Sequence, residues 1–342
     1  MRSFGSDNNS GVHPGIMEAI AAANSDHAPG YGSDPWTDKA IATIKSVFGE
    51  SADPFFVFNG TGANTIAITA CTHSYHSVIA AESAHIVCDE CGAPAKASGC
   101  FTVVLPAEDG KLTPELIKRK LTGFGDAHHS QPKVVYISQC TEFGTVYTPQ
   151  EIRAIADLVH THDMYLLMDG ARIHNAAAAL GLSLKEITVD CGVDILSLGG
   201  TKNGMMMGEA VISFRPEITK RLPFVRKQSA QLYSKMRYAS AQFVPYLEKQ
   251  IWLTNAQHAN RMAKLLAEEL SKFGQFELVM PMDANILFVK MSKTIADQML
   301  ERHFFYVWDE KEEIVRFVTS WDTTEEDIRM FIDDLKEITH SV

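Results

Sequence analysis

The sequence has 342 residues, of which 46% are hydrophobic, and a formal net charge of −11 from 42 acidic and 31 basic side chains. This length allows two domains with substantial cores, so folding requires neither a disulfide nor a metal ion. The acidic balance argues against nucleic acid and anionic membranes as partners, because both are bound by clustered positive charge. No apolar stretch approaches the ~20 residues of a membrane span, and the polar N-terminus has no apolar signal segment. We therefore expect a soluble cytoplasmic protein.

Six cysteines are spread along the chain without the density or spacing of a secreted disulfide scaffold. Cys88 and Cys91 form a single CxxC pair, but no second pair and no suitably spaced histidines follow to complete a zinc site. We expect two partly buried thiols here and no metal site.

Strands and helices alternate from about residue 50 to residue 215. Apolar runs predict strands and 3.6-residue periodicity predicts helices between them, with strands at 54–59, 78–82, 101–106 and 133–139. This alternation predicts a mainly parallel sheet covered by helices on both faces. Beyond residue 215 the pattern becomes helix-rich, then gives short alternating strands that indicate an antiparallel sheet with one covered face. A final helix from Thr323 to Ile338 has one apolar stripe.

The first of these strands leads through Gly60-Thr61-Gly62 directly into a helix. Glycines let the backbone approach an anion, and the free N–H groups and dipole of the helix favour negative charge there. Because no GK[ST] follows, this is not a Walker motif. Alone, the turn is weak evidence for a phosphate-binding site; it gains weight from its agreement with Asp169 and Lys202, described next.

The stretch from Met164 to Gly208 carries the clearest signal of chemistry. Two apolar runs typical of buried parallel strands end in Asp169 with Arg172 and in Thr201 with Lys202. Ligand sites of open α/β sheets lie at the carboxyl ends of strands, so these side chains can reach one pocket. Pyridoxal 5′-phosphate requires such a pair, a lysine for the Schiff base and an acid that keeps the pyridine nitrogen protonated. The alternatives are a helix-capping Asp169 and an exposed loop lysine.

Together these motifs resemble the threonine aldolase family, a β-eliminating-lyase-like group of fold-type-I pyridoxal phosphate enzymes. The matching pieces are Ser6-Asp7-Asn8, Tyr31-Gly32-Ser33-Asp34-Pro35, Gly60-Thr61-Gly62-Ala63-Asn64, Glu82-Ser83-Ala84-His85-Ile86, Asp169-Gly170-Ala171-Arg172 and Thr201-Lys202-Asn203-Gly204. Three features are closer to the phenylserine aldolase and low-specificity L-threonine aldolase branch: Cys88-Asp-Glu-Cys91-Gly-Ala-Pro, the Thr-Lys-Asn-Gly around Lys202, and Ser234-Lys235-Met236-Arg237.

The resemblance implies an aspartate-aminotransferase-like α/β fold with a large cofactor-binding domain at residues 15–245. That domain would contain a mainly parallel seven-stranded sheet between helices. A smaller α+β domain would comprise residues 246–342 together with the N-terminal segment 1–14.

The resemblance also implies which residues bind pyridoxal 5′-phosphate. Lys202 would carry the cofactor, Asp169 would pair with the pyridine nitrogen, and His85 would stack on the ring near the substrate hydroxyl. The remaining cofactor contacts would come from Gly60, Thr61, Gly62, Arg172 and Thr201.

Substrate binding and subunit contacts follow from the same resemblance. The amino-acid carboxylate would be bound by Ser6, Arg172 and Arg316, since guanidinium groups suit carboxylates geometrically. Tyr31 would come from a neighbouring subunit, and Arg237 would reach a phosphate across that interface. A homodimer or homotetramer with shared active sites is therefore expected.

Two departures from the family pattern concern the substrate side chain. Gln139-Cys140-Thr141-Glu142 stands where many relatives have Glu-Asn-Thr-His, and the loop around the hydroxyl-binding histidine is altered. We predict His128 for that role, with His129 as the alternative.

The expected reaction cleaves the Cα–Cβ bond of a β-hydroxy-α-amino acid of the L-threonine, L-allo-threonine or L-phenylserine type, giving glycine and an aldehyde. The general base would be His85, His128 or a water held by them. A β-eliminating lyase or an aminotransferase would share Asp169, Lys202 and Arg316 and is the alternative.

Overall fold

The computed structural model describes residues 2–341, so Met1 and Val342, the outer ends of the predicted small domain, lie outside the described residues. The strands are β1 (Asp53–Val57), β2 (His76–Ala81), β3 (Phe101–Leu105), β4 (Gln131–Ser138), β5 (Tyr165–Gly170), β6 (Ile195–Leu198), β7 (Glu209–Ser213), β8 (Glu277–Leu278), β9 (Ile286–Lys290), β10 (Tyr306–Asp309) and β11 (Ile314–Val318).

The helices alternate with these strands in the first two thirds of the chain and cover the second sheet in the last third. They are α1 (Pro14–Ala23), α2 (Pro35–Phe48), α3 (Gly60–Cys71), α4 (His85–Cys88), α5 (Ala93–Ser98), α6 (Pro114–Lys118), α7 (Pro149–His160), α8 (Ile173–Leu180), α9 (Pro216–Thr219), α10 (Leu222–Gln228), α11 (Arg237–Glu248), α12 (Ile251–Ser271), α13 (Lys293–Leu300) and α14 (Glu325–Ser341). Within residues 2–341, no helix combines the length and apolar character that a membrane crossing requires.

Within the described residues, the first seven strands form one sheet in the order β1-β7-β6-β5-β4-β2-β3. The five neighbouring strands β6, β5, β4, β2 and β3 are parallel to one another, whereas β7 is antiparallel to both of its neighbours, β1 and β6. The mainly parallel seven-stranded sheet is therefore confirmed. A second, antiparallel sheet has the order β10-β11-β9-β8 and belongs to the C-terminal part of the chain.

The parallel strands end at one edge of the sheet, and this edge positions the candidate site. Ser138 on β4, Asp169 on β5 and Ser197 on β6 lie in register across three neighbouring strands. Both faces of these strands are buried, as their continuous apolar runs require. Polar groups are therefore concentrated where the strands end and their loops begin.

Helix termini follow recognisable capping rules. Proline occupies the first turn of α2 and α7, where its missing N–H leaves no hydrogen bond unmade. Thr148 and Glu151 form a reciprocal capping box at α7. Helices α11 and α12 are separated at Gln250, whose φ of 54° lies in the left-handed region.

The N-terminal segment packs into the C-terminal part of the molecule. Phe4 is completely buried in a core formed by α12, α13, α14 and the second sheet. Its ring contacts that of Phe331 edge-on at 5.2 Å between centroids. Its backbone N–H donates to the Phe304 carbonyl and its carbonyl accepts from the Val318 N–H, both at 2.7 Å. This core therefore depends on residues from both ends of the chain.

We expect Phe4→Ala to lower the free energy of unfolding by about 3–5 kcal/mol, because it removes a fully buried aromatic ring and leaves a cavity. Met330→Ala, on the exposed face of α14 where Met330 is 53% exposed, is the control and should change stability by less than about 0.5 kcal/mol. Urea denaturation of both variants gives the comparison. Equal midpoints for Phe4→Ala and wild type would contradict this account of the core.

Candidate active site

The loops after β2, β4, β5 and β6 bring polar side chains to one small cavity at the carboxyl edge of the sheet. Asp169 and Lys202 both line it, although they follow different strands. The other residues that line it are Gly60, Asn64, His85, Glu90, Ser138, Cys140, Glu142, Ala171 and Arg172. Most of the residues that line the cavity thus have polar side chains, and they come from positions far apart in the sequence.

The Asp169 carboxylate is held by three donors. Its Oδ2 accepts from the Tyr136 hydroxyl at 2.5 Å and from Asn64 Nδ2 at 2.8 Å, and its Oδ1 accepts from the Ala171 N–H at 2.9 Å. Asp169 is 6% exposed. Because α8 begins only at Ile173 and has no side-chain cap, Asp169 is not the helix cap that the sequence left as an alternative. Its orientation is fixed at the wall of the cavity.

Lys202 lies on a short 3-10 turn, Thr201–Asn203, just after β6. Glu209 holds this turn by accepting from the Thr201 hydroxyl at 2.9 Å and from the Gly200 N–H at 3.0 Å. Burial and the nearby Arg172 guanidinium lower the pKa of Lys202, and burial raises the pKa of Glu209 to about 7. A lysine with a lowered pKa has more of the neutral, nucleophilic amine.

His85 begins α4 and is anchored at two points. Its backbone N–H donates to Glu142 Oε1 at 2.9 Å, and its ring Nδ1 lies 2.8 Å from Glu90 Oε1. The hydrogen bond to Glu90 raises the pKa of His85 above its ordinary value, against the effect of burial. The ring is therefore oriented by a carboxylate, and its Nε2 stays available to the cavity.

Glu142 occupies the loop that departs from the family pattern. Ser138 donates its hydroxyl to Glu142 Oε1 at 2.7 Å, and burial raises the pKa of Glu142. This carboxyl lines both the inner cavity and the outer cleft described below.

The N-terminus of α3 borders the same region. Gly60 and Thr61 line a cavity of about 370 Å³ together with Ser197, Thr201 and Lys202. The Asn59 side chain caps this helix by accepting from the Gly62 N–H at 2.8 Å. A Cβ at Gly60 would meet no atom within 4 Å, so the first turn of a twelve-residue helix opens onto the cavity. This setting suits an anionic group.

Arg316 faces an outer cleft of about 380 Å³ that also contains Ser6, His85 and Lys202. Its guanidinium carbon lies 5.2 Å from the ring centroid of Tyr306 and 5.3 Å from that of Trp308. One Nη donates to the Gly5 carbonyl at 3.3 Å, while Nε is buried without a hydrogen-bond partner among residues 2–341. A buried, unpaired guanidinium donor in a cleft fits an incoming carboxylate.

Arg172 has a partner within the chain. Its Nε and one Nη form a bidentate pair with the carboxylate of the buried Asp7, at 2.7 and 2.9 Å. Although burial acts in the opposite direction, the Arg172 charge leaves the pKa of Asp7 below its ordinary value. Two donors of Arg172 are thus already engaged, which weakens the predicted contact of Arg172 with the substrate carboxylate and favours Arg316.

His128 lies away from this site. Its loop precedes β4, so it sits at the amino edge of the sheet, and its N–H donates to Asp126 on the exposed surface. Eight residues of β4 separate the two edges by about 25 Å. The prediction that His128 or His129 binds the substrate hydroxyl is therefore incompatible with the site of its own subunit.

Tyr31 and Arg237 also lie outside the cavities around Lys202. Tyr31 is 54% exposed, with the Lys227 ammonium 5.2 Å above its ring. Arg237 donates to the carbonyls of Ser25 and Asp26 in a separate surface cleft.

Cys88 and Cys91 are exposed free thiols, whereas the sequence predicted partly buried ones. Among residues 2–341, no group of three histidine, cysteine or acidic side chains is arranged to hold a metal ion. The residue of this motif that lines the inner cavity is Glu90, and Asp89 borders the outer cleft.

Several buried polar residues of the site had no role in the sequence analysis: Asp7, Asn64, Glu90, Tyr136, Glu142 and Glu209. Asp7, Asn64 and Glu142 stood within quoted motifs, and Glu90 within the CxxC pair. Tyr136 has the sequence environment of an ordinary strand residue. Neither its neighbours nor its distance along the chain from Asp169 indicates that its hydroxyl donates to Asp169.

The matched relatives agree with this architecture. The beta-eliminating lyase family model matches residues 3–294. A low specificity L-threonine aldolase of Pseudomonas aeruginosa is 41% identical over 336 residues, which cover 98% of this chain and 97% of that protein.

Two solved structures share the fold. A threonine aldolase of Leishmania major superposes with a TM-score of 0.93 at 31% identity, covering 99% of both chains. An aspartate aminotransferase of Thermus thermophilus has a TM-score of 0.69 at 18% identity, covering 96% of this chain and 89% of that one, a likeness of fold alone. The aspartate-aminotransferase-like fold is therefore confirmed, and the chain belongs to the beta-eliminating lyase family, in its threonine aldolase group.

Proposed function

We propose that this protein is a pyridoxal phosphate-dependent aldolase that cleaves β-hydroxy-α-amino acids of the L-threonine, L-allo-threonine or L-phenylserine type to glycine and an aldehyde. The observation that carries the proposal is the convergence of Lys202, Asp169 and Arg316 on one continuous site. The relatives named as L-threonine aldolases match almost the whole chain, which favours this reaction over elimination or transamination.

The residues present fit the cofactor. Lys202, with its lowered pKa, provides a nucleophilic amine for the cofactor aldehyde. Asp169 is a buried, firmly oriented carboxylate suited to a ring nitrogen that carries a proton. The N-terminus of α3 at Gly60 and Thr61 suits the phosphate. When bound, pyridoxal phosphate accepts the electron pair of the breaking Cα–Cβ bond into its ring.

The protein's own residues would orient the substrate and move its proton. Arg316 binds the α-carboxylate through its guanidinium group, with Ser6 on the same cleft. This anchors the amino acid so that its side chain lies near His85. His85 Nε2 removes the proton of the β-hydroxyl, because Nδ1 is engaged by Glu90. The aldehyde then leaves, and the glycine that remains is reprotonated.

We further propose that the active site is completed by a second copy of this chain, in a homodimer or homotetramer. Tyr31 and Arg237 lie away from the cavities around Lys202 in their own subunit, with Tyr31 exposed and Arg237 in a separate surface cleft. The exposed Tyr31 ring and the Arg237 guanidinium are suited to reach a neighbour's substrate and phosphate.

The test of the reaction is product analysis. Purified enzyme is expected to release glycine with acetaldehyde from L-threonine, and glycine with benzaldehyde from L-phenylserine. Lys202→Ala should lose activity by ~10³-fold or more, and borohydride reduction followed by peptide mass spectrometry should find cofactor on Lys202 of the wild type only. Lys293→Ala, at an exposed lysine of α13, is the matched control. Pyruvate with ammonia would instead indicate β-elimination, and a keto acid that depends on a second substrate would indicate transamination.

Arg316→Lys is expected to raise the KM for the amino-acid substrate at least about tenfold, since lysine keeps the charge but loses the planar fork of donors. The exposed Arg329→Lys on α14 serves as the comparison and should leave KM unchanged. Steady-state kinetics with both variants measures the difference. A KM for Arg316→Lys equal to that of wild type would remove the carboxylate role.

A further inference from the structure

Glu90 is a buried carboxylate with no direct part in the proposed reaction. It lies inside the Cys88–Cys91 motif, where Cys88, Asp89 and Cys91 are all exposed. The Glu90 side chain, in contrast, is inaccessible to solvent and lines the inner cavity beside Asp169. The motif thus places Glu90 in the inner cavity, while the exposed Asp89 borders the outer cleft.

The contacts of Glu90 join two residues of the site. Its Oε1 lies 2.8 Å from His85 Nδ1 and accepts from Asn64 Nδ2 at 2.8 Å. The same Asn64 nitrogen donates to Asp169 Oδ2 at 2.8 Å. One amide group therefore holds two carboxylates at a fixed separation, with His85 attached to one of them.

The second oxygen of Glu90 indicates more than a packing role. Oε2 is buried and has no hydrogen-bond partner among residues 2–341. A buried carboxylate with an unsatisfied oxygen is costly, and an amide or an apolar side chain would fill the same space at a lower cost. Glutamate at this position is explained by an effect that requires its negative charge.

That effect is exerted on the histidine ring. A carboxylate that accepts from Nδ1–H places the imidazole proton on Nδ1 and leaves the lone pair of Nε2 directed away from it. The same arrangement stabilises the imidazolium formed when Nε2 takes up a proton, as an acid does for the histidine of catalytic triads.

We propose that Glu90 is a positioning residue that fixes the tautomer and basicity of His85 and, through Asn64, the orientation of Asp169. The role of His85 as the base rests on the function proposed above, whereas the contact between Glu90 and His85 does not.

Several charged groups face His85. They are Asp89 and Glu90 from its own segment, Glu142 after β4, Asp169 in β5, Arg172 after β5, Lys202 after β6, and Arg316 on β11. Of these, Glu90 is the group in direct hydrogen-bond contact with the ring. Removing its charge should therefore have the largest effect on the titration of His85.

The test compares Glu90→Gln with Glu82→Gln in the holoenzyme. Glu82 lies on the same segment but is exposed, so it is a matched change of charge. Glutamine can still accept from His85 and Asn64 through its carbonyl oxygen, but it lacks the charge that favours imidazolium. We expect the pKa of His85, followed by NMR of ¹⁵N-labelled histidine, to fall by about one pH unit or more in Glu90→Gln and to stay constant in Glu82→Gln.

The pH profile should move in the same direction. A base with a lower pKa stays deprotonated to lower pH, so the acidic limb of kcat/KM should shift to lower pH in Glu90→Gln. On the pH-independent plateau of the profile, kcat should fall at least about tenfold. The loss should be smaller than that caused by removing the general base itself, which typically contributes ~10²–10⁴-fold. A purely structural role would lower thermal stability without moving either titration.

The wild-type protein provides a test that does not depend on the folding of a Glu90 variant. The ¹⁵N shifts of neutral His85, assigned by their loss in His85→Asn, should identify the Nδ1–H tautomer. An Nε2–H tautomer, or an unchanged His85 titration in Glu90→Gln, would overturn the proposal. Both measurements are made without substrate, so failure to form glycine and aldehyde would reject the proposed reaction and leave the outcome for Glu90 intact.

Discussion

The candidate site depends on a carboxylate that is buried at the end of a central strand. Asp169 closes β5, where continuous apolar burial leaves no water to solvate a charge. Three donors replace that water: the Tyr136 hydroxyl, the Asn64 amide and the Ala171 N–H. They come from β4, from α3 and from the turn after β5, so the sheet, the helix and the loop must all be in place before the carboxylate is stabilised. Fold and site are therefore specified by the same contacts.

A second buried pair connects the two parts of the molecule. Asp7 accepts from Arg172, which follows β5 of the first sheet, and from Asn285, which precedes β9 of the second. Three residues earlier, Phe4 fills the core of the C-terminal part. A short N-terminal segment thus contacts the loop after β5 and the second sheet, and it borders the cleft of Arg316. Because breaking one partner of a buried ion pair is strongly destabilising, this segment fixes the relative position of the Lys202 and Arg316 sides of the cleft.

Sequence patterns predicted the elements that local rules control. Proline in the first helical turns, strand-length apolar runs and the stripe of α14 located most helices and strands to within a few residues, and motif order predicted the fold. The same patterns could not show which buried side chains meet. Tyr136 and Asn64 are 72 residues apart in the sequence, and Glu90 lay in a motif whose cysteines suggested different chemistry. His128 lies far from Lys202 of its own subunit for a topological reason: a loop before a parallel strand lies at the amino edge, opposite the loops that contain Arg172 and Lys202.

The balance of charge around the cavity bears on what the site can hold. Asp169, Glu90, Glu142 and Glu209 are buried carboxyl groups near Lys202. Arg172 is already paired with Asp7, so it offsets little of their charge. Burial raises the pKa values of Glu142 and Glu209 and lowers that of Lys202. In all three groups it therefore favours the neutral form. Asp169 and Glu90 are oriented acceptors, connected by the amide of Asn64, with His85 as the nearby base. A ring nitrogen that carries a proton would meet the first acceptor, and the imidazolium formed during proton transfer would meet the second. The site therefore provides a separate carboxylate for each positive charge that the proposed reaction places there.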